Sequence, residues 1–190
     1  MHVRIRRRRK LAERLADRDK FTRFEEVVLP HLDAAYNLAR WLMRNDHDAE
    51  DSVQDAIVRA LRFFAGFRGV DGRAWLLTIV RNTCFTRLEG RRSRQSDASF
   101  DEEIHGGETF APGPETELLN RATGDALVTA LERLPEEFRE VVVMRELEGL
   151  SYKEIADIVQ VPVGTVMSRL ARARKRLQQD LRPCADKGAT

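Results

Sequence analysis

The sequence predicts an all-α protein, two small helical domains joined by a flexible acidic linker. Three observations carry that prediction. Apolar residues recur at three- and four-residue steps across 24–88 and again across 119–182, which puts them on single helix faces. Between these blocks, residues 89–118 lose all periodicity and hold Gly90, Gly106, Gly107, Pro112, Gly113 and Pro114 among Ser, Asp and Glu. Aromatic residues make up only 7% of the 190, against 34% charged, a mix that suits solvated helices better than stacked β-sheets. A structureless run of this length inside one domain is unusual, so two domains on a tether is the simpler reading. The division is a basic arm (1–23), a first domain (24–88), the linker (89–118), a second domain (119–182) and a tail (183–190).

In the first domain Phe24, Val27, Val28, Leu32, Ala35, Leu38, Ala39 and Leu42 share one face, and Asn45 and Asp46 break the pattern. A second helix buries Val53, Ala56, Ile57, Ala60, Leu61 and Phe64, with Asp48, Asp51, Asp55, Arg59 and Arg62 on its other face. Gly66, Gly69 and Gly72 mark a loop. A third helix runs from about Ala74 to Leu88, with one stripe of Leu76, Ile79, Val80 and Thr83 and another of Trp75, Thr78, Asn82 and Phe85. Trp75 and Cys84 read as core residues.

The second domain opens with a Leu127, Leu131, Leu134 stripe ended by Pro135. Glu136 and Glu137 suit the start of the next helix, where acids meet the positive end of the dipole. Val141, Val142, Met144, Arg145 and Leu147 continue it to Gly149, a C-terminal cap. Ser151-Tyr152-Lys153-Glu154 has the capping-box pattern, and Ile155, Ala156, Ile158 and Val159 supply a buried face. Val161-Pro162-Val163-Gly164 breaks the chain. A long helix follows from Thr165, with Val166, Leu170, Ala173 and Leu177 inward and Thr165, Ser168, Arg169, Arg172, Lys175 and Arg176 outward. Two helices, a tight turn and a cationic second helix describe a helix-turn-helix that fits a major groove. An ordinary helical hairpin with a solvated basic face has the same pattern.

Composition excludes several classes. No apolar run approaches the ~18 residues of a membrane span. No apolar segment follows Lys10 as a secretory signal requires, so a cytoplasmic protein is expected. Cys84 and Cys184 are too few for a disulfide framework or a four-cysteine zinc site, and neither metal nor cofactor is expected. The formal net charge is +2, but residues 1–23 carry ten basic and three acidic residues, and 89–118 three basic and eight acidic. The five cations Arg169, Arg172, Arg174, Lys175 and Arg176 fall within eight positions, a local stripe that matters more for nucleic acid than the overall balance.

These motifs resemble a known family. Leu150 to Ala156, Val161 to Val166, Ser168 to Leu170 and Arg172 to Leu177 closely resemble region 4.2 of bacterial sigma factors, most of all the small extracytoplasmic-function (ECF) group. Leu134 to Arg145 resembles region 4.1. Independently, Asp48 to Asp55 with Arg59 to Arg62 resembles region 2.2, and Phe67 to Gly69, Ala74 to Leu76 and Arg81 to Thr83 resemble regions 2.3 and 2.4. Both halves in this order around a linker are highly specific. Gln160 departs from the glycine frequent at the turn, and Met167 from a frequent cation.

The resemblance implies a protein that binds the clamp and flap of core RNA polymerase and directs it to promoter DNA, and that catalyses nothing itself. It implies polymerase binding by Asp48, Asp51, Gln54, Asp55 and Arg59. Arg73, Arg81 and Asn82 would capture the melted −10 element, with Arg87 as a further phosphate ligand. Thr165, Met167, Ser168, Arg169, Ala171, Arg172, Lys175 and Arg176 would read the −35 duplex. Ser168 and Arg172 are the base-reading candidates, Met167 and Ala171 line the groove, and Arg169, Lys175 and Arg176 suit phosphates. Thr165 sits at the helix N-terminus, where a phosphate is favoured. An anti-sigma partner is also implied.

Two other readings stay in view. One is a regulator that uses the helix-turn-helix without polymerase. The other is a nuclease with Asp46, Asp48, Glu50 and Asp51 on Mg²⁺, although helical placement scatters these acids. A calcium loop fails, because Asp51 stands where the turn glycine belongs and Ile57 where the bidentate Glu belongs.

Overall fold

The computed structural model of the chain describes residues 18–69, 71–97 and 116–185. The predicted arm segment Arg4 to Lys10, most of the linker (98–115) and the end of the tail (186–190) lie outside the described residues. All regular structure among the described residues is helical. The helices are α1 (18–28), α2 (Leu32–Met43), α3 (Asp46–Phe63), α4 (Gly72–Asp97), α5 (Thr116–Arg133), α6 (Glu136–Val142), α7 (Tyr152–Val159) and α8 (Val163–Ala185).

The apolar face from Phe24 to Leu42 spans two helices. Pro30 lacks an N–H, and a single 3₁₀ turn at Leu29–His31 separates α1 from α2. The face itself survives: Phe24, Val28, Ala35, Leu38, Ala39 and Leu42 are all buried. Arg44, in the left-handed region at φ 58°, ends α2. Asn45 then caps α3 by accepting from the Asp48 N–H at 3.0 Å. Helices α2, α3 and α4 pack on one another and form the first half of the core.

Two boundaries differ from the sequence reading. Helix α4 begins at Gly72, capped by the Asp71 carboxylate accepting from Ala74 N–H at 3.1 Å. A Cβ on Gly72 would collide with the Val27 carbonyl and side chain, so glycine is required by close approach of α1. At its other end α4 continues to Asp97, and α5 starts at Thr116, so helix enters both ends of the expected linker. Arginines 87, 91 and 92 find carboxylates on neighbouring helices, which extends α4 past the last apolar residue.

The second half packs α5, α6 and α7 on α8. Leu131 and Leu134 are buried as read, but Leu127 is 42% exposed, because Ala130 rather than Leu127 faces the core one turn before Leu134. Val143–Leu147 forms a π turn after α6. It leaves Leu147 exposed, and Gly149 closes it at φ +67°. The capping box at Ser151 is complete: Ser151 Oγ accepts from Glu154 N–H at 3.2 Å, and Glu154 accepts from Ser151 N–H at 2.7 Å.

The halves are not merely tethered. Buried residues of both form one continuous apolar cluster, and α2 and α4 pack against α6 and α7. Charged residues of the FRE segment, Phe138 to Glu140, sit inside this junction.

Candidate polymerase and nucleic-acid interface

The helix-turn-helix is built from α7, a three-residue turn and α8. Gln160 takes the left-handed conformation at φ 60°, so it fills the role a glycine would have at this turn. Its amide donates to the Asp157 carbonyl at 2.5 Å. The Pro162 carbonyl accepts from the N–H groups of Thr165 and Val166, starting α8. The Thr165 N–H is thereby occupied. Val166, Leu170 and Ala173 are buried, which turns Met167, Ser168, Ala171, Arg172, Lys175 and Arg176 outward.

The predicted −35 residues divide into two groups. Among the described residues Arg172 and Lys175 have no ion-pair partner and stand free on the exposed face. Arg169 does not. It lies 3.2 Å from Glu137 and 3.3 Å from the fully buried Glu140, and only 19% of its side chain is exposed. Arg169, expected as a phosphate ligand, here ties α8 to α6. Arg176 lies over the Phe138 ring at 4.9 Å from its centroid, with its side chain still exposed. Arg174 pairs with Glu146 at 2.7 Å and anchors α8 to the π turn.

The predicted −10 residues lie on α4, where the apolar stripe fixes their direction. Leu76, Leu77 and Val80 are buried, and Phe64, Phe67 and Trp75 form an aromatic cluster beneath the loop. Trp75 is partly buried in that cluster, consistent with packing. Arg73 and Arg81 are eight positions apart, about two turns, and share a face. Both face the second half of the protein, where the expectation had them open to DNA. Arg73 Nη2 reaches Glu148 Oε2 at 2.6 Å and the Glu148 carbonyl at 2.8 Å. Arg81 grips Glu140 with Nε at 2.6 Å and Nη2 at 3.2 Å, and its guanidinium covers Phe85. Asn82 is exposed and accepts from Arg81 at 3.3 Å. Burial pushes the Glu140 carboxyl above its ordinary value, against the pull of Arg81 and Arg169.

The predicted polymerase face lies on α3. Gln54, Asp55 and Arg59 are exposed, and Asp48 and Asp51 half-buried. The acids are partnered from α4. Arg87 donates to Asp55 at 2.5 Å and to Asp51 at 3.5 Å, and Arg91 pairs with Asp48. The Arg91 hydrogen bond holds the Asp48 carboxyl below its usual range. Arg87 is thus turned to α3 and not outward as a phosphate ligand. The acids proposed for Mg²⁺ do not converge: Asp46 pairs with Arg40, Asp48 with Arg91 and Asp51 with Arg87.

Sequence reasoning missed Arg139, Glu140, Glu148 and Asn37. Arg139 is 2% exposed and gives its guanidinium to four carbonyls: Leu131 at 3.2 Å, Glu132 at 3.1 Å, Leu134 at 2.7 Å and Trp41 at 2.8 Å. Burial pulls it down to about 10, still protonated near neutrality. The available signal was an Arg-Glu pair embedded in the apolar run from Phe138 to Met144.

Two packed helical halves, one carrying a helix-turn-helix whose second helix leaves Arg172 and Lys175 exposed, have the form of a DNA-binding protein. The family Sigma-70 region 2 matches residues 27–94, and Sigma-70, region 4 matches residues 124–177. The chain is 38% identical over 143 residues to the ECF RNA polymerase sigma-E factor of Escherichia coli, covering 72% of this chain and 75% of that protein. It is 36% identical over 158 residues to the ECF RNA polymerase sigma factor SigE of Mycolicibacterium smegmatis, covering 83% of this chain but 61% of that longer relative. Among solved structures, the sigma factor RpoE of Bartonella quintana, in complex with the anti-sigma factor NepR, superposes with a TM-score of 0.66 at 31% identity, covering 84% of this chain and 96% of that one. The chain belongs to the ECF sigma factors, which give RNA polymerase promoter-specific transcription initiation. No helix among the described residues is long and apolar enough to cross a membrane.

Proposed function

We propose that this chain binds core RNA polymerase through the outer face of α3, with Asp48, Asp51, Gln54, Asp55 and Arg59, and carries it to a two-element promoter. It catalyses nothing itself and acts in the cytoplasm, where the polymerase works. Arg73, Arg81 and Asn82 hold the melted −10 strand once the two arginines leave Glu148 and Glu140. Thr165, Met167, Ser168, Ala171, Arg172, Lys175 and Arg176 meet the −35 duplex, with Arg169 as the positioning residue that sets α8. The observation that supports this best is the exposed face of α8, where Arg172 and Lys175 stand unpaired beside Ser168 at the end that enters a groove. An anti-sigma protein is the fitting negative regulator.

Run-off transcription with bacterial core polymerase and a pool of candidate promoters tests the reading. The variant of choice is Gln54→Arg/Arg59→Glu, since both positions are exposed and neither carries an ion pair among the described residues. Discrete transcripts from the natural chain and loss with the variant are expected. Absence of transcripts and of co-purification with core polymerase would leave a polymerase-independent DNA-binding regulator.

A further inference from the structure

We infer that α8 carries a thymine reader: Met167, with Ala171 one turn on, packs against the 5-methyl group of thymine in the major groove of the −35 duplex. This rests on the placement of α8 in that groove. The exposed face of α8 is not uniformly cationic. Val163, Met167 and Ala171 recur at four-residue steps and lay an apolar stripe along it, with Val163 40% and Met167 53% exposed. The core has no use for this stripe. Val166, Leu170 and Ala173 already fill the inward face, and neither Met167 nor Ala171 belongs to the apolar cluster of the interior.

What flanks the stripe identifies its occupant. Arg172 and Lys175 stand beside it without ion-pair partners among the described residues, and no acid occurs in α8 before Asp180. Cations without acids around an apolar stripe suit a groove walled by phosphates. On the floor of that groove thymine alone presents a methyl group, whereas guanine presents two acceptors and needs donors. Met167 and Ala171 have no donor to give. The neighbouring Ser168 hydroxyl donates to the Thr165 carbonyl at 2.9 Å, so its proton is also taken. Arg172 is the donor of this face and suits guanine. The unbranched methionine side chain adapts to the methyl group beside it.

The test uses the full chain bound to core polymerase. The complex selects binding sites from a promoter pool randomised across the −35 window, and thymine should be enriched at one position or more. In the selected promoter, uracil then replaces thymine in both strands of the window, which deletes the methyl groups and nothing else. Binding should fall about fourfold for each methyl contacted, the worth of one buried CH₂. Met167→Gln should bind the thymine and uracil promoters alike, and Met167→Leu should keep the difference. Position 167 is exposed, so neither change threatens the fold. Equal binding of both promoters by the natural chain overturns the inference, as does a full uracil penalty in Met167→Gln. Weaker capture of core polymerase by Met167→Gln, with that penalty intact, would give the stripe to a protein contact instead. Scrambling the whole −35 window separates the two levels. If the natural chain then binds as before, α8 does not read the −35 element and the parent reading fails. If scrambling abolishes binding while uracil costs nothing, only the thymine reader fails.

Discussion

Arg139 donates to the Trp41 carbonyl at 2.8 Å, and through this bond the C-terminal end of α2 in one domain meets the C-terminal end of α5 in the other. Both helix ends leave carbonyls without intrahelical partners. One guanidinium, with its planar fork of donors, satisfies several of them at once and places a positive charge at two negative dipole ends. Replacing Arg139 by leucine strands those carbonyls in a buried setting and should cost about 3 kcal/mol. Lysine should recover less than half, because one ammonium cannot span both helix ends. Urea unfolding followed by circular dichroism measures it, and equal midpoints for the three chains would contradict the role.

Gly72→Ala should destabilise the first domain by about 1–3 kcal/mol, because the new methyl overlaps the Val27 backbone. Gly66→Ala is the matched control. A Cβ there meets open space, so the change should stay within about 0.5 kcal/mol. Comparable changes at both sites would mean that close approach to Val27 does not set the requirement at position 72, since helix propensity alone favours alanine over glycine.

Gln160→Gly should stabilise the second domain by about 1 kcal/mol, because glycine enters the left-handed region without the Cβ penalty. The lost amide bond to Asp157 offsets part of the gain. A fall in melting temperature would show that this bond outweighs the backbone term.

Cys84 is buried and its thiol is pushed up to about 11, chiefly by burial. At pH 8 roughly one in a thousand is thiolate, so iodoacetamide should modify it only through unfolding. Peptide mapping distinguishes it from Cys184. The sign of the stability effect follows. Between 9.0 and about 11 the unfolded chain releases this proton and the folded chain holds it. Stability is therefore full below 9 and falls as pH rises from there. Cys84→Ala should flatten that decline.

Arg172→Ala and Lys175→Ala should weaken −35 binding by the polymerase complex in different ways. Loss of a phosphate contact at Lys175 lowers affinity evenly across sequences and reduces the log–log salt slope by about 1. Loss of a base contact at Arg172 relaxes preference at one position and costs about 1–3 kcal/mol on the preferred sequence. Identical sequence profiles for the two variants would remove Arg172 from base reading.

Much of this molecule is legible locally. The capping box at Ser151, the turn at Gln160, the stop at Gly149 and the buried faces of α3, α7 and α8 depend on residues within a turn or two of one another, and periodicity reports such contacts directly. Pro30 and Leu127 are where the periodic pattern misled. A stripe drawn across Pro30 ignores its missing N–H, and Leu127 shares the spacing of a buried stripe without having a neighbour to cover it.

The sequence by itself determined the helical class, the helix-turn-helix and the faces on which cations and acids appear, since all three follow from spacing along single helices. Tertiary structure alone decided which of those charges are free. Arg73 and Glu148 are 75 positions apart, Arg81 and Glu140 are 59, and nothing in their local sequence pairs them. An arginine seeks any carboxylate within reach, and reach is set by how two packed domains meet. That packing leaves Arg172 and Lys175 on the surface and holds Arg73, Arg81 and Arg169 at the junction.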